Sequence, residues 1–352
     1  EMETKYDPKK VEEGKYEYWL KEGFFTSGDN TKIPYTIVIP PPNVTGKLHI
    51  GHACDTTLQD IIIRRKRMQG YDALWLPGMD HAGIATQAKV DAKLKTMGIS
   101  RYDLGREKFL DVAWSWKKEY AEFIRKQWAA LGLSLDYTKE RFTLDDGMQD
   151  AVAEVFTKLY NEGLIYRGER IINWDVEAKT ALSNIEVEYK DVKSSSIYVA
   201  FKVVDGKNVL SNGCELVIWT TTPWTMPANL AICVGPDIEY SVVETNGRFL
   251  IVATELINSV FEAIGYTDYH IVKRMMGKEL EGITYKHPLY DRISPVILGD
   301  HVTLDAGTGL VHTAPGHGQE DYAVGLEFDL PILMPVDDNG VLTDEAGRFA
   351  GL

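Results

Sequence analysis

Apolar positions in the first half of the chain fall into two alternating patterns. Tyr35 to Ile39 is an apolar-rich run of strand length, and it leads into a loop of Pro, Asn and Gly. Beyond that loop Ile50, Ala53, Cys54, Leu58, Ile61, Ile62 and Met68 recur at helical spacing up to Gly70. Asp72 to Leu76 reads as a second strand, and Ile84 to Met97 predicts a further helix. A longer helix carries Phe109, Val112, Trp116, Tyr120, Phe123, Ile124 and Leu131 on a broad stripe that ends at Gly132. Helical periodicity alone accounts for these aromatics as core, with no need for a base-stacking surface. Strand and helix signals in alternation predict a parallel α/β sheet.

The pattern changes at Asp191-Val192-Lys193-Ser194-Ser195-Ser196, a polar linker, so the domains are expected at 1–190 and 191–352. Ile197 to Val204, Glu215 to Thr220, Leu230 to Val234, Tyr240 to Glu244, Phe249 to Ala253 and Pro295 to Leu298 read as strands separated by Asn, Gly and Pro turns. A mostly β-barrel domain with inserted helices is the expected solution. The chain has no internal repeat and no low-complexity tract.

Length and charge sharpen this division. At 352 residues, two domains are the prior expectation. The net charge of −14 argues against a general basic field for gripping nucleic acid. Residues 1–190 carry 28 Lys and Arg against 30 Asp and Glu, so the acidity belongs to the second half. Any RNA contact there is expected at a small pocket for a strand end, not along a backbone groove. Cys54, Cys214 and Cys233 are odd in number and far apart, without a C-x-x-C pair, so the expected compartment is a reducing cytoplasm. No apolar leader or membrane-spanning stretch is visible, and no membrane partner is expected.

Candidate chemistry concentrates in the loop Pro40-Pro41-Pro42-Asn43-Val44-Thr45-Gly46-Lys47-Leu48-His49-Ile50-Gly51-His52. Two histidines three apart on a first helical turn share a face and point past the N-terminus. There, unpaired N–H groups and the helix dipole favour a phosphate, and two imidazoles could stabilise charge on a reacting phosphoryl group. The run Arg64-Arg65-Lys66-Arg67 on the following helix reads as a solvated face.

His49-Ile50-Gly51-His52 resembles the His-x-Gly-His signature of the class I aminoacyl-tRNA synthetases. The longer string is most similar to the valine branch of that family, and the similarity continues through Gly70 to Gln87, Tyr102 to Phe109, Leu131 to Asp146 and Ile171 to Glu188. The resemblance implies the first half of a Rossmann-type nucleotide-binding domain over residues 1–190. It implies ATP with Mg2+, valine and a tRNA as substrates, in a protein that is a monomer at full length. His49 and His52 would contact the ATP phosphates while the amino-acid carboxylate attacks the α-phosphorus and pyrophosphate leaves. Thr45, Gly46 and Gly51 would complete the ATP site, with Gly46 allowing close backbone approach; Pro42 and Asn43 match positions beside the amino-acid side chain, and Asp80 the residue that holds its ammonium. Read alone, Asp80 after Gly-Met is also a candidate helix cap, and His81 a candidate helix-entry histidine. Where zinc-bearing members have cysteines after Asn-Trp, this chain has Asn173-Trp174-Asp175-Val176-Glu177-Ala178-Lys179, so no zinc is expected there.

The strings Trp219 to Asn229 and Gly307 to Tyr322 resemble the editing insertion of the isoleucine branch. That resemblance implies that Thr220, Thr221, Thr222, Thr225 and Asn229 line a hydrolytic pocket for the mischarged ester and the terminal adenosine. Asp321 would hold the ammonium and His312 would limit pocket size. The need is physical, because a hydrophobic pocket gains only about 1–3 kcal/mol per methylene. An isoleucine-type editor removes valine, whereas the first half resembles a valine activator. Three explanations stay open: a retuned editing pocket, two sequences joined artificially, or an isoleucine ligase with a valine-like first half.

No Lys-Met-Ser-Lys-Ser-like string occurs, and Lys273 to Gly277 does not fit one. The resemblance therefore implies an N-terminal fragment, truncated inside the editing insertion, that activates amino acid poorly by itself. Alternatives of another class are a free-standing aminoacyl-tRNA deacylase and an inactive fragment that binds nucleotide or RNA.

Overall fold

The computed structural model describes residues 4–352. The chain forms two compact units, residues 1–167 and 168–352. The division falls before the 190/191 boundary expected from the polar linker. The reason lies in contacts of residues 168–190 with the end of the chain: Trp174 Nε1 donates to Asp338 O, and Glu169 O accepts from the Tyr322 hydroxyl.

In the first unit, helices α1 (Pro8–Glu12) and α2 (Lys15–Lys21) precede strand β1 (Pro34–Val38), helix α3 (Ile50–Met68) and strand β2 (Asp72–Leu76). β1 and β2 pair in parallel, from Pro34 opposite Asp72 to Val38 opposite Leu76, so the first βαβ unit is as expected. Then follow β3 (Gly78–Met79), α4 (Gly83–Thr96), α5 (Arg101–Ala130), β4 (Arg141–Phe142) and α6 (Asp146–Asn161), with β3 and β4 parallel. Ser100 caps α5 by accepting from Tyr102 N, and Gly105 (φ 73°) breaks its first turns. The core gathers Ile39, Val44, Ile63, Trp75, Met79, Ile124, Trp128, Leu133 and Leu135.

The apolar row of α3 is not its buried face. Thr56 and Ile63 are buried, whereas Ile50, Leu58, Ile61 and Met68 are exposed. Two paired strands about 5 Å apart cover only a narrow strip of a 19-residue helix. The basic run is not a solvated face either. Arg64 bonds Asp60 and Gly132 O, Arg67 bonds Ser134, and Lys66 lies over the rings of Tyr35 and Tyr71.

The second unit opens with a hairpin, β5 (Asn173–Asp175) and β6 (Thr180–Leu182), whose turn is held by Asp175 Oδ1 accepting from Glu177 and Ala178 N–H groups. There follow β7 (Ile197–Asp205), β8 (Glu215–Thr220), β9 (Ala231–Val234), β10 (Glu239–Thr245), β11 (Arg248–Ala253) and α7 (Ile257–Ile264). The chain continues through β12 (His270–Met276), β13 (Thr284–Lys286), β14 (Ile293–Leu298), β15 (Leu310–Thr313) and α8 (Gln319–Glu327). Strands β7 to β15 make one nine-stranded mixed sheet in the order β12-β10-β11-β8-β7-β13-β14-β9-β15. Its end strands are not hydrogen-bonded to each other among the described residues, while β15 returns to lie against β8, so the run from β8 to β15 curls round on itself as a barrel does, without a closing ladder. One face packs Phe201, Leu216, Ile218, Ile232, Tyr240 and Tyr285 into the main core; the other carries α7 over Val217, Val243 and Val252, and Val324 of α8 over Cys233 and Ile297.

Candidate functional site

In the first unit the loop after β1 is held from two sides. Ile39 N donates to Leu76 O, Asp80 N to Pro42 O, and Val44 N to Asp80 O, so Pro42 and Asn43 run in ladder with Asp80. From α5, Trp116 Nε1 donates to Val44 O, while the Gln127 amide accepts from Leu48 N at 2.9 Å and donates to Leu48 O at 3.1 Å. The three residues expected at the amino-acid site thus lie together. Neither Trp116 nor Gln127 was recognisable as a loop support, because a glutamine or tryptophan on a helix face carries no signature of what it reaches.

At the start of α3 the two histidines cap the helix reciprocally. His49 Nδ1 accepts from Gly51 N at 3.1 Å, His52 Nδ1 accepts from His49 N at 3.3 Å, and the ring centroids lie 4.1 Å apart. The expectation of unpaired N–H groups is thereby corrected, since the imidazoles occupy two of them. With both Nδ1 atoms accepting, the neutral rings carry their protons on Nε2, and two Nε2–H donors sit at the positive end of the helix. Burial, and next the neighbouring His49 ring, hold the His52 imidazole below its ordinary value. Gly51 is required here: a Cβ would come within 2.9 Å of His49 Cε1. Gly46 has no such internal reason, because a Cβ there would meet nothing within 4 Å. Thr45, half-buried, stands beside it.

Asp80 does not cap α4, whose N-cap is Ala82 with no side-chain hydrogen bond. Asp80 Oδ1 accepts from Ala82 N at 3.1 Å just ahead of α4, and from the Thr143 hydroxyl at 3.2 Å. That same hydroxyl also meets His81 N and Nδ1. A groove of about 1220 Å³ elsewhere in this unit is lined by Tyr16, Trp19, Arg64, Lys126 and Gly132 and includes none of these residues.

In the second unit the two strings meet through a buried hydrogen-bond chain. Asn229 Nδ2 lies 2.8 Å from His312 Nδ1 and also donates to Ala231 O, while its Oδ1 accepts from the Tyr285 hydroxyl at 2.6 Å. With the amide nitrogen facing Nδ1, His312 carries its proton on Nε2 and donates it to Thr225 Oγ1 at 2.8 Å, which in turn donates to Thr222 O. Thr220 Oγ1 accepts from Thr222 N and lies 3.3 Å from Thr222 Oγ1. Burial, then His287 and His317, push the His312 imidazole down to about 4.

The predicted residues therefore divide. Thr225, Asn229 and His312 are buried and joined through His312, Thr220 is buried with its hydroxyl bonded, among the described residues, only to Thr222, and Thr221 and Thr222 are exposed. Asp321 stands apart from this chain: its Oδ2 accepts from Ala314 N at 2.8 Å, and burial pushes its carboxyl above the usual range. Trp224 packs edge-on against His317 at 5.4 Å, and the buried His317 Nε2 has no hydrogen-bond partner among the described residues. Tyr285 and His317 were not singled out from sequence, although His317 lies in one of the two strings.

The β1–α3–β2 unit, with paired imidazoles at its helix start, lies within the stretch that the sequence comparisons match. A family model described as tRNA synthetases class I (I, L, M and V) matches residues 14–299, and the chain belongs to that family. Over its whole length the chain is 50% identical to the valine–tRNA ligase of Latilactobacillus sakei, and 49% identical to that of Staphylococcus aureus strain JH9. It spans 35% and 36% of those relatives. The match runs through the second half, whose strings resemble the isoleucine branch. Among solved structures, a LeuRS–tRNA–LeuAMS complex from Agrobacterium radiobacter K84 aligns with 94% of this chain and 44% of that one, at 16% identity and a TM-score of 0.47.

Among the described residues no three His, Cys, Asp or Glu side chains are grouped to hold a metal, and no helix is long and apolar enough to cross a membrane.

Proposed function

We propose that this chain supplies one half of an aminoacyl-adenylate site and a separate editing site to a cytoplasmic, valine-type tRNA ligase. The observation that carries the first reading is the reciprocal capping of His49 and His52. It leaves two Nε2–H donors at a helix N-terminus while Asp80 is laddered onto Pro42 and Asn43. In this reading ATP enters with its Mg2+, and its phosphates meet the imidazole donors, whose hydrogen bonds strengthen as charge grows on the oxygens. The lack of any internal need for Gly46 fits a nucleotide approaching the loop backbone. Asp80 takes the ammonium of valine, and Pro42 and Asn43 flank its side chain.

Similarity to valine–tRNA ligases along the whole of this chain, at 49–50% identity, favours valine over isoleucine, and favours a natural, retuned editing pocket over an artificial junction. A valine site cannot strongly reject threonine, which has the same shape with a hydroxyl in place of one methyl group. The editing unit then removes threonyl esters. Thr221 and Thr222 are the hydroxyls open to substrate and water, Asp321 is the ammonium partner, and the His312–Thr225 chain supports the loop from beneath.

Calorimetric titration with a non-hydrolysable valyl-adenylate analogue tests the first site. We expect binding that weakens at least about tenfold with Asp80→Asn, as loss of a charge-assisted contact implies, and that weakens also with His52→Ala. Equal affinity of both variants and the parent chain would remove these residues from the site.

A further inference from the structure

We propose that Thr143 is a positioning residue for the amino-acid site: its hydroxyl fixes the His81 proton on Nδ1 and turns Asp80 so that Oδ2 stays open to an ammonium group. This rests on the reading of Asp80 as the ammonium partner.

Proton counting carries the inference. Thr143 Oγ1 lies 2.9 Å from His81 N, 2.6 Å from His81 Nδ1 and 3.2 Å from Asp80 Oδ1. A hydroxyl offers one hydrogen and two lone pairs. The main-chain N–H of His81 takes one lone pair. An ionised Asp80 can only accept, so it takes the hydrogen. A single lone pair is left for Nδ1, which must therefore carry a proton of its own. The neutral ring is the Nδ1–H tautomer, with Nε2 free as an acceptor.

The carboxylate is oriented by the same arrangement. Oδ1 receives Ala82 N–H and the Thr143 hydroxyl and lies 3.3 Å from His81 Nδ1, whereas Oδ2 receives no hydrogen bond among the described residues. Both side chains are more than a third exposed, so a ligand can reach them. The backbone is fixed as well: Thr143 N donates to Met79 O, and Ala82 holds the left-handed conformation at φ 50°. A non-glycine residue keeps that conformation only when its surroundings impose it. Thr143 lies more than sixty residues from the pair it organises, so no local spacing links them.

The test uses the 352-residue chain labelled with 15N-histidine, at a pH where imidazoles are neutral, with His81→Gln to assign the signal. The parent should show a protonated Nδ1 and a bare Nε2 at His81. Thr143→Val leaves Nδ1 only the Asp80 carboxylate at 3.3 Å, so it should turn the single tautomer into a mixture with protonated Nε2 while the remaining histidine signals stay in place, and Thr143→Ser should keep the parent pattern. A parent proton on Nε2, or an unchanged tautomer in Thr143→Val, would overturn the proposal. Thr143→Val should also weaken the valyl-adenylate analogue about tenfold, the order expected for one hydrogen bond to a charged group, with Thr143→Ser restoring it; undiminished affinity would likewise overturn the positioning role. If the tautomers behave as stated but the parent binds no analogue, the positioning of His81 stands and the amino-acid reading of Asp80 fails.

Discussion

His312 is placed where a histidine can serve only as a neutral hydrogen-bond partner. Its Nδ1 faces an amide nitrogen and its Nε2–H is already given to Thr225, so a second proton finds no acceptor. The folded value is depressed to about 4 from the ordinary 6.5, so the unfolded chain binds the extra proton first. This group's stabilising contribution is present above pH 6.5 and is lost as pH falls through that window towards 4. Histidine NMR titration should show His312 unprotonated at pH 5.5, and a midpoint at the ordinary value would contradict the network. Tyr285→Phe should raise that midpoint, because an amide freed from the tyrosine can turn its oxygen towards Nδ1. At this scale the sequence located the residues but not their states. His312 and Thr225 are 87 positions apart, and protonation is set by partners that no local spacing reveals.

Among the elements, β1, β2, α3, α4 and α5 lie close to where hydrophobic periodicity puts them, because each is long or strongly patterned. β12, β13 and β15 were not foreseen: β13 and β15 are only three and four residues long, and β12 is a largely exposed edge strand carrying His270, Lys273 and Arg274. The more consequential feature is that α5 is a support for the loop as well as a core helix. Gln127→Met keeps its length and removes both bonds to Leu48. Each such bond contributes about 0.5–1.5 kcal/mol, so the loop should loosen while α5 persists. Hydrogen exchange should quicken at Leu48 and at the His49–His52 turn, with the amides of Ala121 to Ile124 unaffected. Protection unchanged at Leu48 would mean that the loop is held by β1 and β2 alone.

For the molecule as a whole, the sequence pattern predicts two domains divided at 190/191, and the structure divides the chain into two compact units after Arg167. The hairpin Asn173–Leu182 belongs to the second unit through Trp174, which donates to Asp338 O, and the preceding Glu169 is tied to Tyr322; a linker's composition cannot announce either contact. The apparent conflict between a valine-like first half and an isoleucine-like second half is eased by the unbroken identity to valine–tRNA ligases. In the proposed reading, one chain unites a valine-activating half-site with an editor that spares valine. Deacylation of matched threonyl- and valyl-esters of valine-accepting tRNA by this chain is the most direct measurement. We expect hydrolysis of the threonyl ester, loss of that activity with Asp321→Ala, and survival of the valyl ester; rapid hydrolysis of the valyl ester, or activity undiminished in Asp321→Ala, would rule out this division of labour.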